Sequence, residues 1–142
     1  MRVYADTSFL VSLYSPDAHS RRAAVRMARL RGVAILTPLV ELELMNALEL
    51  RLFRKEATTA ETRRAESQLR EHIQTGVFAL EAVPATIYER AKQISQKRTA
   101  TMGLRTLDVL HVASALLLHT EQFWTFDQRQ ANVAKVEGLH TV

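Results

Sequence analysis

The chain contains no cysteine. Disulfides and thiolate metal sites are therefore excluded. Glycine and proline are scarce, four and three respectively, and no linker, repeat or low-complexity tract interrupts the sequence. No apolar run is long enough to span a bilayer. The N-terminus lacks the basic head, apolar middle and small-residue cleavage site of a secretory signal. These absences lead us to expect a cytoplasmic protein with no membrane segment. What is present is 142 residues, 47% of them hydrophobic and 24% charged. That balance suits one globular domain, residues 1–142, with a full-sized core.

The formal net charge is +4. A basic excess suits a polyanionic partner such as nucleic acid, and equally a solvated basic surface. The cations are unevenly spread. Arg21, Arg22, Arg26, Arg29 and Arg31 crowd one segment. Arg51, Arg54 and Lys55 form a second, and Lys92, Lys97, Arg98 and Arg105 a third. Most are arginine, whose planar fork fits phosphate.

Hydrophobic periodicity and punctuation give an alternating order of elements. Strands are expected at Arg2–Ala5, Val33–Leu36, within Val77–Val83, and at Phe123–Phe126, with Leu139–Val142 a possible short edge strand. Helices are expected at Ser8–Tyr14, His19–Arg31, Pro38–Arg54, Ala60–Thr75, Pro84–Ala100, Thr106–His119 and Gln128–Val136. Thr37-Pro38 is a hydroxyl cap followed by proline at the first helical position, Thr58 or Thr59 caps the fourth helix, and Thr106 caps the sixth. Alternating strands and helices imply an α/β fold, a central parallel sheet of four to five strands flanked by helices. Right-handed crossovers then place every strand's carboxyl end on one edge.

The acids are informative at that edge. Asp6 ends the first strand and Asp127 the fourth, and each precedes a helix. Taken singly, both read as helix caps. Asp108 sits in the first turn of a helix that is apolar nearly all round, so its carboxylate is withdrawn from water. Glu43 lies mid-helix, where capping is impossible. It points about 200° away from Glu41, with Asn46 and Ala47 on its own face. His111 follows Asp108 by one turn and reads as a packed core histidine, since no second histidine supports a zinc site.

Four segments together resemble a PIN domain of the VapC type, the toxin ribonuclease of a VapBC toxin–antitoxin pair. They are Asp6-Thr7-Ser8-Phe9-Leu10, the helix Thr37–Leu48 bearing Glu43, the helix segment Leu104–Leu116 with Asp108-Val109-Leu110-His111-Val112-Ala113-Ser114-Ala115-Leu116, and Trp124-Thr125-Phe126-Asp127. The region between Arg51 and Thr75 departs mildly from the pattern. The resemblance implies a PIN-like three-layer sandwich and a metal-dependent endoribonuclease. It also implies an RNA substrate, a cognate antitoxin and a homodimer.

Four converging carboxylates require a counter-charge, and all-oxygen ligation suits Mg²⁺ or Mn²⁺. Asp6, Glu43, Asp108 and Asp127 are thus the expected metal-binding and catalytic acids, with Ser8 and Thr125 as hydroxyls that orient them or their water. A metal-activated water then hydrolyses the phosphodiester. By resemblance, the products carry 3′-hydroxyl and 5′-phosphate ends. Two other readings stand beside this one. One is a non-catalytic PIN-fold module that binds RNA or protein and uses its acids as caps. The other is a phosphotransferase with an aspartate nucleophile, which Ser8 disfavours because that chemistry wants a second acid two residues after Asp6.

Overall fold

A computed structural model describes residues 1–142. Strand β1 (Arg2–Ala5) is followed by α1 (Thr7–Tyr14), α2 (Ser20–Ala28), β2 (Val33–Leu36), α3 (Pro38–Phe53), α4 (Thr59–Gln74) and β3 (Phe78–Leu80). Then come α5 (Ile87–Met102), α6 (Thr106–Leu117), β4 (Gln122–Trp124), α7 (Gln128–Val136) and β5 (His140–Thr141). The five strands pair in parallel in the order β3-β2-β1-β4-β5.

This order dictates the layers. The chain steps outward from β1 to β2 to β3, crosses back to β4, and steps outward again to β5. Right-handed crossovers put the helices of the first half on one face and those of the second half on the other. The helix contacts follow that division: α1 packs on α2, α3 and α4, while α5, α6 and α7 pack together. The strand order reverses between β1 and β4. The strands' carboxyl ends at that switch point are the usual ligand position in such sheets, and we call this region the crevice.

The central strands β1, β2 and β4 are short and largely buried on both faces. Val3, Tyr4, Ala5, Ala34, Ile35, Leu36 and Phe123 are fully enclosed, as expected for a parallel sheet covered by helices. Tyr4 stacks on Phe123 with ring centroids 5.3 Å apart. Phe9 packs against both Trp124 and Phe126. These aromatic contacts tie β1 and α1 to β4 directly beneath the crevice.

Several boundaries differ from the sequence reading, each for a local reason. Strand β4 stops at Trp124 rather than Phe126, because the Phe126 amide leaves the ladder and donates to Ser8 Oγ at 2.9 Å. Helix α5 starts at Ile87 rather than Pro84; the Pro84 carbonyl accepts from the Ile87 amide in a preceding turn. Helix α6 is capped at Arg105, not Thr106. The Asp108 carboxylate reaches back to the Arg105 amide at 2.8 Å. At α4 the cap is Thr58, in a reciprocal capping box with Glu61.

Gly32 has a positional reason. Its φ is +156°, and a Cβ placed there would come within 2.0 Å of the Met1 carbonyl oxygen. Val33 donates its amide to that same carbonyl at 3.0 Å, which registers β1 beside β2. Gly32→Ala is expected to destabilise the protein by roughly 2 kcal/mol, the scale of overpacking against backbone. Urea unfolding followed by circular dichroism measures this. A stability equal to wild type would show that the β1–β2 start can shift freely.

Candidate active site

Asp6 caps α1. Its Oδ1 accepts the Phe9 amide at 2.9 Å. Capping uses one oxygen and leaves the carboxylate with more to satisfy. Ser8 Oγ donates to it at 2.8 Å, and Thr125 Oγ1 donates to Oδ2 at 2.7 Å. Both hydroxyls are themselves fixed, Ser8 by the Phe126 amide and Thr125 by the Asp127 amide. Asp6 is fully buried, and no cationic side chain lies within ion-pair distance of it. Burial pushes its pKa up to about 6, against the lowering pull of the hydrogen bonds from Phe9, Thr125 and Ser8.

Asp127 caps α7 in the same divided way. Its Oδ1 accepts the Arg129 and Gln130 amides at 2.8 and 3.2 Å. Its Oδ2 faces Arg105 Nη2 at 3.4 Å. Asp108 lies one turn into α6 with its side chain 1% exposed. Arg105 Nη2 also sits 3.4 Å from Asp108 Oδ1, so a single guanidinium bridges Asp108 and Asp127. Arg129 approaches Asp108 from α7 at 3.9 Å.

Glu43 turns inward from α3. Thr7 Oγ1 donates to its Oε1 at 3.1 Å, and His111 Nε2 faces the same carboxylate. Tyr4 Oη lies 2.9 Å from His111 Nδ1. Burial holds the Tyr4 phenol well above its usual pKa, so it remains a proton donor. With hydrogen on Nε2, Nδ1 accepts from Tyr4, while Nε2 touches the Glu43 carboxylate without hydrogen-bond geometry. His111 is thus a core histidine, as the sequence suggested, and it orients one of the acids.

Four elements of the fold therefore bring Asp6, Glu43, Asp108 and Asp127, with Ser8 and Thr125, to the crevice at the sheet's switch point. Arg105 lies in the field of Asp108, Asp127 and Glu43, and Tyr4 in that of Asp6 and Glu43. No three acids close into a ready cage. Like charges repel, and the acids are instead satisfied separately by hydroxyls, His111 and Arg105. The donor set fits a hard divalent cation. It is all oxygen, its members each keep a carboxylate oxygen or lone pairs free of capping, and buried Asp6 lacks a counter-charge.

Sequence reasoning missed three contributors. Thr7 and Arg129 carried no signal beyond their neighbourhood. Arg105 had one: it precedes Asp108 by three residues across a helix start, the spacing at which side chains meet. Arg105 stands where cationic charge is needed between two acids. Arg105→Gln is expected to lower the melting temperature in chelator by several degrees and to tighten Mg²⁺ binding several-fold, because it leaves two carboxylates unbalanced. Calorimetry with Mg²⁺ and melting in EDTA check the pair of effects. Unchanged values would mean that Arg105 is only a solvated surface group.

A doubly wound parallel sheet with a carboxylate-lined crevice at its switch point is the class of protein that the geometry defines. The chain belongs to the PIN domain family, whose model matches residues 3–136. No curated protein matches the sequence at a significant level. Solved structures share the fold. VapC20 of Mycobacterium tuberculosis, a sarcin–ricin-loop-cleaving toxin, superposes with TM-score 0.71 at 19% identity, over 96% of this chain and 95% of that one. VapBC-1 from nontypeable Haemophilus influenzae gives 0.68 at 15% identity, over 100% and 97%. FitAcB from Neisseria gonorrhoeae gives 0.66 at 16% identity, over 98% and 95%. No helix is long and apolar enough to cross a membrane.

Proposed function

We propose that this chain is a metal-dependent endoribonuclease, the toxin of a toxin–antitoxin pair, acting on RNA in the cytoplasm. The observation that carries the reading is the gathering of four carboxylates at the carboxyl ends of the sheet, Asp108 and Asp127 bridged by Arg105, Glu43 turned in to Thr7 and His111, and Asp6 buried with no cation in ion-pair distance. Asp6, Glu43, Asp108 and Asp127 would hold Mg²⁺ or Mn²⁺, which would supply a more acidic water and offset charge on the phosphate. The chain's own groups do the rest. Ser8 and Thr125 fix the Asp6 carboxylate, His111 and Thr7 fix Glu43, and the two α-helix starts fix Asp108 and Asp127.

The competing binding-module reading draws on the caps made by Asp6 and Asp127. Capping leaves Glu43 unexplained, since it sits mid-helix in contact with His111 and Thr7. A protein partner is supported by the outer face of α3, where Leu42 is 68% and Phe53 83% exposed, with Leu50 beside them. That ridge suits an antitoxin or a second copy of the chain. The likenesses to VapBC-1 and FitAcB, whose names join two components, support the antitoxin.

Purified protein incubated with single-stranded RNA tests the activity. Strand scission in Mg²⁺ that leaves 5′-phosphate ends and stops in chelator is the expected result. Scission that persists in chelator would remove the metal from the mechanism.

A further inference from the structure

The basic segment on α2 has no acidic side-chain partners within the chain. Arg21, Arg22, Arg26 and Arg29 project from one short helix, and no Asp or Glu lies within ion-pair distance of any of them. By contrast, Arg63, Arg90, Arg98 and Arg105 all have acidic partners. Arg26 donates only to the main-chain oxygen of Val142, the final residue. Burial, and then the charge of Arg22, lowers its pKa. Four guanidinium groups crowded without a counter-charge repel one another until a polyanion completes them.

Two of the four lie over aromatic rings. The Arg26 guanidinium lies 5.6 Å from the Trp124 ring centre, and that of Arg22 lies 5.3 Å from the Phe126 ring. His19 stacks on Phe126 as well, with centroids 4.5 Å apart and planes 14° from parallel. Cation–π attraction to these rings narrows the positions the two guanidiniums adopt, which lowers the entropy lost on binding phosphate.

The surface has direction. One depression is lined by Arg21, Arg22, Arg26, Arg29 and Trp124. A second is lined by His19, Arg22, Phe126, Thr125 and Asp127. Arg22 belongs to both, so the arginine groove runs into the crevice where Thr125 and Asp127 stand. Along α2, Arg22, Arg26 and Arg29 advance by about 6 and then about 4.5 Å of helix rise. That stepping suits successive phosphates of an extended strand.

We infer that the arginine face of α2, entered from the acid crevice through Arg22, is the track that holds single-stranded RNA flanking the scissile phosphate. This rests on the nuclease reading above and extends it to the substrate's path. Basic grooves with stacking rings bind single strands without reading sequence. Among the chain's three basic segments, this places the first beside the active crevice.

The test separates binding from cleavage. A fluorescein-labelled oligouridylate is titrated in EDTA with wild type, Arg22→Gln/Arg26→Gln, Arg21→Gln/Arg29→Gln and a control pair on α4, Arg64→Gln/Arg70→Gln, each checked for fold by circular dichroism. Arg21 and Arg29 do not stack on the rings, so their pair remains informative if the other unfolds. Each α2 pair is expected to weaken binding roughly tenfold at 0.15 M salt and to reduce the log–log salt slope by about 1.4, at about 0.7 per phosphate contact. The control pair is expected to match wild type. If the wild type cleaves RNA in Mg²⁺ yet both α2 pairs bind like wild type, the track is wrong and the nuclease reading survives. If the wild type neither cleaves nor binds RNA, the nuclease reading itself falls. Binding of a polyglutamate peptide through these arginines in place of RNA would make the face a protein-docking surface and overturn the inference.

Discussion

Asp6→Asn is expected to reduce Mg²⁺-dependent RNA cleavage by roughly 10³-fold, the rate equivalent of losing several kcal/mol of charge stabilisation. The fold is expected to survive. Asparagine is as good a cap as aspartate, and its side-chain oxygen still accepts the Phe9 amide. A neutral side chain also escapes the desolvation that burdens the buried carboxylate. Asp108→Asn is expected to act similarly on cleavage, but it also weakens the pairing that Arg105 makes. Single-turnover cleavage, read beside melting curves, separates the two effects. A folded Asp6→Asn protein that cleaves at the wild-type rate would return Asp6 to a purely structural role.

The second large effect is a pair of opposed pH dependences. The Asp6 carboxyl titrates near 6 in the folded protein, against an ordinary 3.8. Between those values the folded protein holds a proton that the unfolded chain has released. Metal-free protein therefore gains stability as pH falls through 6 and loses it as pH rises. The swing is on the order of 3 kcal/mol from this one group. Metal binding runs the other way, because a ligand carboxylate must be ionised. Mg²⁺ affinity is expected to fall about tenfold per pH unit below 6. Asp17, held below its ordinary 3.8 despite some burial by hydrogen bonds from Ser12 and His19, stays ionised in both states across this range and adds no slope. The difference between wild type and Asp6→Asn isolates the Asp6 contribution. Melting in EDTA and calorimetry in Mg²⁺ across pH 5 to 7.5 are the measurements. Parallel pH trends in the two would contradict a raised Asp6 pKa in a metal-binding role.

Much of the fold was legible because the chain alternates short apolar runs with well-punctuated helices. Thr37-Pro38 marks the start of α3 without ambiguity, and the observed helix begins at Pro38. The end of β4 was not legible. It depends on Ser8 taking the Phe126 amide across a sequence separation of 118 residues, a contact no local pattern encodes. The cap of α6 was misread for a related reason. Thr106 is the better capping residue by type, but Asp108 reaches back to the Arg105 amide and sets the boundary one residue earlier.

The acids were legible in proportion to how poorly a structural role explained them. Glu43 had no structural task as a mid-helix acid, and it faces His111 and Thr7. Asp6 and Asp127 were ambiguous, and the structure shows why: both are caps, each through Oδ1, with Oδ2 directed elsewhere. A helix cap and a metal ligand are not exclusive when the carboxylate divides its oxygens. Arg105 went unread because a cation beside acids is ordinary on a surface. Only the geometry reveals one guanidinium spanning Asp108 and Asp127.

The direct test of the acid crevice is calorimetric titration of Mg²⁺ into the metal-free protein at pH 7.5, compared with Asp6→Asn/Asp108→Asn. Saturable binding by the wild type, abolished in the double variant with the fold intact, is the expected result. Absence of saturable binding by the folded wild type, or equal binding by both, would contradict a metal-holding role for these carboxylates.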